Sequence, residues 1–207
     1  MSNSEHGGMT STPDMANRRL LILDAAEAVF LRYGFARTTM ADIASEAGLS
    51  RPNLYVSFPD KTEIYQAVLG RMVLRTINVT RAQLPRSGDL GERLFQACIS
   101  WTRDGFELVR ANRDARDLFD PAIPAVRDAY VAFEAFLDEV LTEANFAGNG
   151  ALERRRVVAM MSTALKGFKD MACDSNELQN LIRTMTTAVA HSQTDTGEPG
   201  GQIKQAD

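Results

Sequence analysis

Side chains able to do chemistry are thin along most of this chain and gather between Thr38 and Lys61, in TTMADIASEAGLSRPNLYVSFPDK. Thr39 is placed to cap a helix, with Asp42 three residues on to answer it. Ile43, Ala44 and Ala47 then share one face at helical spacing. Gly48 sits where a left-handed residue ends such a helix. Ser50 is a second N-cap, and Pro52 falls in the first turn that follows, where a missing N–H costs nothing. A helix, a Gly-containing turn and a second helix is the sequence form of a helix-turn-helix, whose geometry sets one helix into a DNA major groove. The groups that would argue for catalysis are elsewhere or absent. His6 and His191 lie near the two ends, and no glycine-rich phosphate loop or metal-ligand spacing occurs, so no enzyme, metal or cofactor is expected.

The rest of the 207 residues must position that stretch. Hydrophobic content of 44% and charged content of 24% are those of a globular protein with a full core. The formal charge of −4 is unlike a nucleic-acid binder, so its distribution matters. Asn17 to Lys61 carries six basic residues against five acidic. Phosphate attraction must therefore come from a few placed groups. Cys98 and Cys173 are far apart, which suggests reduced thiols of a cytoplasmic protein rather than a bridge or a metal site. No apolar run is long enough for a membrane span, and no secretory segment follows the first residues.

The periodicity predicts an all-α fold with no strand. Residues 1–16 are polar and aperiodic and read as a disordered arm. From Asn17, the residues Ile22, Ala26, Val29, Phe30 and Tyr33 make an amphipathic helix that Gly34 stops. Phe35 would pack back beneath it. A longer helix begins at Lys61, with Ile64, Tyr65, Val68, Leu69 and Met72 on one face. Pro85 to Asp89 is a break. Further helices follow at Leu90 to Ala111, Ala125 to Phe146, Leu152 to Cys173 and Asn176 to His191, with a short one at Asn112 to Asp120. Gly148-Asn149-Gly150 is a turn, and residues 192–207 read as a disordered tail.

With the elements in this order, residues 17–77 resemble the TetR family of bacterial transcriptional regulators. The likeness is carried by Tyr33-Gly34-Phe35, Thr38-Thr39-Met40-Ala41-Asp42-Ile43-Ala44, Ala47-Gly48-Leu49-Ser50, Leu54-Tyr55, Phe58 and Lys61. The resemblance implies an N-terminal three-helix DNA-binding domain over 17–77, then a larger helical ligand-binding and dimerisation domain over 78–191. It makes the Arg51–Ser57 segment the recognition helix. Arg51, Pro52, Asn53 and Val56 are then the candidates for base edges: Arg51 for guanine, Asn53 for adenine, Val56 for apolar contact such as a thymine methyl. Thr38, Thr39, Tyr55, Ser57 and Lys61 are the phosphate candidates. Ser57 stands where the family commonly has His or Tyr, and Val56 where it often has a polar or basic residue; both departures imply modest affinity or a target of its own. Leu54 and Phe58 are expected in the core. Arg18 and Arg19 either reach DNA from the arm or form a solvated helix start. Arg154-Arg155-Arg156 is expected to be a solvated or salt-bridged face rather than a second DNA patch.

A single short recognition helix implies a partner copy on double-stranded DNA, with a near-palindromic operator. The dimer stripes are expected on the last two helices: Val157, Met161, Ala164, Leu165 and Phe168, with Leu178, Leu181, Ile182, Met185 and Val189; burial of that width inside one domain is the other reading. The resemblance also implies a pocket for a small apolar or amphipathic ligand, with Trp101, Phe106, Phe119, Tyr130, Phe133, Phe136, Met160 and Phe168 as its candidate lining. The resulting expectation is a ligand-released repressor. An activator, or a regulator without ligand control, would use the same residues. An all-α interaction module would leave the Ser50–Tyr55 surface unexplained.

Overall fold

The computed structural model describes residues 12–85, 88–146 and 151–192. Residues 1–11 of the expected arm, residues 193–207 of the expected tail, Arg86-Ser87 and the 147–150 turn lie outside the described residues. Eight α-helices occur among the described residues: α1 Thr12–Arg37, α2 Met40–Glu46, α3 Arg51–Ser57, α4 Lys61–Gln83, α5 Leu90–Ala111, α6 Pro124–Glu143, α7 Ala151–Met171 and α8 Ser175–His191. A short 3-10 helix, Arg113–Phe119, stands between α5 and α6. No strand occurs among the described residues, and no helix there is long and apolar enough to cross a membrane. The first five residues of α1, 12–16, fall in the stretch read as arm.

The chain divides into two compact units. The first takes residues up to Met72 together with Leu108–Ala129; the second takes Val73–Glu107 and the chain from Tyr130 on. The first division, after Met72, falls near the expected one at Ile77. The return of Leu108–Ala129 to the N-terminal unit departs from the sequence expectation. It follows from side chains about eighty positions apart, described below.

The core of the first unit follows the helical periods. Ile22, Ala26, Val29 and Phe30 of α1 are buried with Ile43 and Ala44 of α2, Leu54 of α3, Phe58, and Ile64, Tyr65 and Val68 of α4. Each large side chain so buried contributes roughly 1.5–3 kcal/mol. Phe30, Phe35 and Tyr65 form an aromatic triplet with ring centroids 4.9–6.0 Å apart. Burial pushes the Tyr65 phenol up, and it stays a neutral donor to the Leu118 carbonyl.

The second unit buries Leu94 and Cys98 of α5, Phe133, Leu137 and Leu141 of α6, Met161 and Leu165 of α7, and Leu178 and Ile182 of α8. Cys98 is fully buried and its thiol is pushed up by that burial, while Cys173 is exposed; neither is bonded to another cysteine. Trp101 stacks on Phe133 at 4.5 Å and meets Tyr130 edge-on at 5.9 Å. Beside them the Lys169 ammonium donates to the Tyr130 hydroxyl at 2.8 Å, and Lys166 sits 4.0 Å over the same ring.

Burial lowers Lys169 to about 8, with Asp170 pulling the other way. The consequence for stability has a definite sign. Below about pH 8 the folded chain holds an ammonium that water would solvate better, so the group opposes folding. From about 8 to the ordinary lysine value the folded form has shed the proton that the unfolded chain still binds, and stability rises with pH. Lys169→Met is therefore expected to melt about 5 °C above the native protein at pH 7. That gap should close by pH 10 in parallel thermal melts; a pH-independent gap would show that Lys169 is not the titrating group.

Candidate nucleic-acid interface

Local chemistry builds the reader as its spacing predicts. The Thr39 backbone N–H and hydroxyl both donate to the Asp42 carboxylate, at 2.8 and 2.7 Å, and the Asp42 N–H returns to the Thr39 hydroxyl at 3.2 Å. These hydrogen bonds, the side-chain one foremost, hold the Asp42 carboxyl below its ordinary value. The chain leaves α2 through Gly48 at φ 64°, and Leu49 N–H closes on the Ala44 carbonyl at 2.9 Å. Ser50 then caps α3, accepting from Asn53 N–H, with Pro52 in the first turn. Leu54 and Phe58 are buried and anchor the helix from beneath. The opposite face carries Arg51, Pro52, Asn53 and Tyr55 exposed, and Val56 at 73% exposure; Ser57 is half-buried.

At seven residues α3 is about 10 Å long, enough to present side chains to only a few base pairs. Its far end is held by a residue that sequence reasoning left undecided. The Arg19 guanidinium donates to the Ser57 carbonyl at 2.6 Å and lies 4.0 Å over the Phe58 ring. Neither of the two expected readings of Arg19 is its job: it satisfies an orphan carbonyl at the helix C-terminus.

Two of the expected phosphate contacts need correction. The Thr38 side chain is buried and its hydroxyl donates to the Gly34 carbonyl at 2.7 Å. The Lys61 ammonium donates to the carbonyls of Phe35, Ala36 and Thr38 at 2.6, 3.3 and 2.7 Å, and sits 4.4 Å over the Phe35 ring. Three carbonyls at the end of a helix make a stronger claim on an ammonium's three donors than solvent does. Desolvation lowers its pKa, with the charge of Asp117 opposing. Lys61 is the clasp of the corner between α1 and α2, not an outward group. Thr39 remains exposed beside α3.

The same corner is gripped from the 3-10 helix. Helical geometry breaks at Gly34, with φ 77° and ψ 174°. The Asp117 carboxylate accepts from the next two backbone N–H groups, Phe35 at 2.9 Å and Ala36 at 2.6 Å. Asn112 donates to the carbonyls of Leu31 and Arg32 at 3.3 and 2.8 Å. Arg37 pairs with Asp114 at 2.5 Å. Orphan groups on both sides of the break are thus answered by a segment some eighty residues away. None of Asn112, Asp114 or Asp117 carries a sequence signal of this role, because ordinary polar residues in a short helix look the same whatever they hold.

Cations elsewhere on the reader are committed: Arg19, Arg37 and Lys61 as above, and Arg32 to Glu46 at 3.4 Å. Among the described residues Arg51 makes no hydrogen bond or ion pair, so its fork of donors is available outward.

The remaining candidates are distributed differently from the sequence expectation. Met161, Leu165, Leu178, Ile182 and Val189 are buried within a single copy, which corrects their assignment to a dimer stripe; they pack the second unit's own core. Val157, Ala164, Phe168, Leu181 and Met185 are half-buried. Of the candidate ligand lining, Trp101, Tyr130 and Phe133 come together, and Phe106 and Phe136 are buried in the same unit. Phe119 belongs to the first unit, and Met160 is half-exposed on α7 rather than inside. Phe168 is half-buried. Arg154 and Arg156 form the surface ion pairs expected of that run, with Asp138 and Glu153.

A capped two-helix corner that anchors one short helix by its apolar face and turns Arg and Asn outward defines a helix-turn-helix DNA-binding protein. Residues 22–68 match the family described as bacterial regulatory proteins, tetR family. The chain is 31% identical over 154 residues to the HTH-type transcriptional activator FasR of Mycolicibacterium smegmatis, covering 72% of this chain and 68% of that protein. It is 43% identical over 58 residues to the HTH-type transcriptional repressor BepR of Brucella suis, 28% of each chain, so that likeness is confined to a short stretch. In fold it resembles FadR from Bacillus subtilis, solved with stearoyl-CoA, at TM-score 0.63 and 17% identity over 83% of this chain and 97% of that one. The chain belongs to the TetR family of bacterial transcriptional regulators. It is a DNA-binding regulator of transcription, in a family that does not work as enzymes.

Proposed function

We propose that this regulator is a homodimeric repressor that occupies a near-palindromic operator and is released from it by a small apolar or amphipathic ligand. The observation that carries the DNA reading is the exposed face of α3, where Arg51 stands uncommitted among committed cations. Arg51 reads guanine and Asn53 adenine by paired hydrogen bonds, and Val56 takes a thymine methyl. Tyr55 and Ser57 position the helix on phosphates without reading sequence, while Thr39, its two donors held by Asp42, serves as the α2 cap.

A second copy is supported by a surface of α7. Met160 and Met171 are exposed there, and between them Ala164 and Gly167 are small; space is open where a Gly167 side chain would stand. These positions recur at three- and four-residue steps, with half-buried Leu181 and Met185 on α8 to widen the patch. An identical face on a partner would complete a four-helix interface and set two readers on one side of the duplex. Ligand control is supported by continuity of chain: α5 and α6 each run from the second unit into the segment that grips the α1 corner. A ligand acts only as far as it binds one arrangement of that segment better than another.

The decisive experiment is binding to the DNA upstream of its own gene by fluorescence anisotropy across a salt series, with the stoichiometry measured by sedimentation. Two chains per site and a steep fall in affinity with salt are expected. Arg51→Ala should flatten the preference at one base pair per half-site by roughly tenfold or more. Tyr55→Phe should weaken every sequence alike, by about three- to tenfold. No preference for that DNA over random sequence, or one specificity profile shared by both variants, would defeat the reading.

A further inference from the structure

A cavity of about 460 Å³ lies in the second unit, where the end of α4, the start of α5 and the last turns of α6 meet. That volume is within the usual range for small-molecule sites. Leu84, Phe136 and Val140 give it an apolar side; Arg81, Arg93, Glu139 and Glu143 give it a charged one. Glu139 and Glu143 are one helical turn apart and each holds an arginine: Arg81 to Glu139 at 2.7 Å, Arg93 to Glu143 at 2.5 Å.

The two pairs differ in a way that matters. Arg81 and Glu139 are both about half exposed, an ordinary surface pair. The Arg93 side chain is only 4% exposed, whereas its carboxylate, Glu143, is 64% exposed. In addition the Arg93 Nε–H is buried with no acceptor. A guanidinium cannot shed its charge, so a buried one needs acceptors on its whole fork. Here it is held at one corner by a side chain that water can draw away. Burying an ion without full pairing is unfavourable, and the deficit is for an acceptor, not a donor.

We propose that this cavity binds a small organic carboxylate with an apolar stem. The carboxylate takes Arg93 over from Glu143, and the stem lies along Phe136 and Val140. A monoanion replaces Glu143 charge for charge, while Glu139 stays with Arg81. A phosphate dianion would bring a second negative charge against both glutamates. A cation would meet two carboxylates already neutralised and largely solvated. The site shares only Phe136 with the aromatic residues discussed above. It rests on the ligand-released reading for its effect on DNA, but not for binding itself.

The test uses the full chain and three probes of equal length, octanoate, octanol and octylamine, followed by calorimetry without DNA. Octanoate is expected to bind in the micromolar to low-millimolar range, at least tenfold more tightly than either of the others. Arg93→Gln should abolish that advantage. Glu143→Gln, which keeps an acceptor for Arg93 but removes the competing charge, should tighten octanoate several-fold; a merely structural Glu143 predicts no gain. Octanol binding as well as octanoate, octylamine binding best, no octanoate binding, or a Glu143→Gln variant that binds octanoate no more tightly than the native chain would each overturn the proposal. Octanoate bound with these variant effects but without any change in operator affinity keeps the site and instead removes the ligand-released reading for it.

Discussion

Gly34→Ala is expected to destabilise the protein by at least about 3 kcal/mol and to abolish operator binding. Gly34 has φ 77° and ψ 174°, a combination that side chains rarely adopt. Space is as unfavourable as torsion. A Cβ there would stand 2.1 Å from the Asp114 carbonyl oxygen and 2.6 Å from the Asp117 carboxylate. The first is backbone, and the second is held in place by two N–H donors of the adjoining residues. Relief requires the 3-10 helix to back away from the corner, which releases the clamp that leads the chain into α2. A melting point lowered by about 6–12 °C is expected for a chain of this length. Gly70→Ala is the internal comparison. Gly70 lies inside α4 with open space around it, so that variant should match or exceed native stability by a few tenths to 1 kcal/mol. Gly34→Ala melting with the native protein would remove the clamp from the account.

Lys61→Met should be the second large effect, and its form separates two roles for one residue. Methionine keeps the apolar stem but offers no donor. The carbonyls of Phe35, Ala36 and Thr38 then lose their shared partner. Water can replace part of this, so a loss of about 2 kcal/mol is expected rather than the sum of three bonds. Operator affinity should fall with its sequence preference unchanged, because α3 is misplaced and not altered. A phosphate contact would behave otherwise: the melting point would stay put, and the salt dependence of binding would lose about one counterion. Thermal melts and a salt series on the same variant decide between them.

Both effects depend on positions whose surroundings were unevenly legible. The capping box at Thr39 and Asp42, the left-handed Gly48, the Ser50 cap and Pro52 in the first turn of α3 all stand where their spacing put them. Each is a contact within three or four residues, and such contacts are written in the order of the chain. The same holds for Gly34 as the end of a helical run, and for Leu54 and Phe58 as the buried side of the reader. The all-α character, the order of the helices and the family likeness rest on this local information.

Tertiary structure decided what the outward-looking residues do. Lys61 occurs at a position that reads equally well as a phosphate contact, and only the turn of the chain at Gly34 brings three carbonyls within its reach. Asn112, Asp114 and Asp117 become the brace of the corner through bonds that span about eighty residues. No periodicity encodes that distance. The last two helices make the same point. Their spacing marks one apolar stripe on each helix, and Met161, Leu165, Leu178, Ile182 and Val189 from those stripes fill the core of a single copy, while Met160 and Met171 stay outside. A helical period says which side chains share a face; what covers that face depends on where the rest of the chain goes. The sequence by itself determined a helix-turn-helix and the exposed face of its second helix. Only the folded chain decided which cations brace that corner and that Arg51 stays uncommitted.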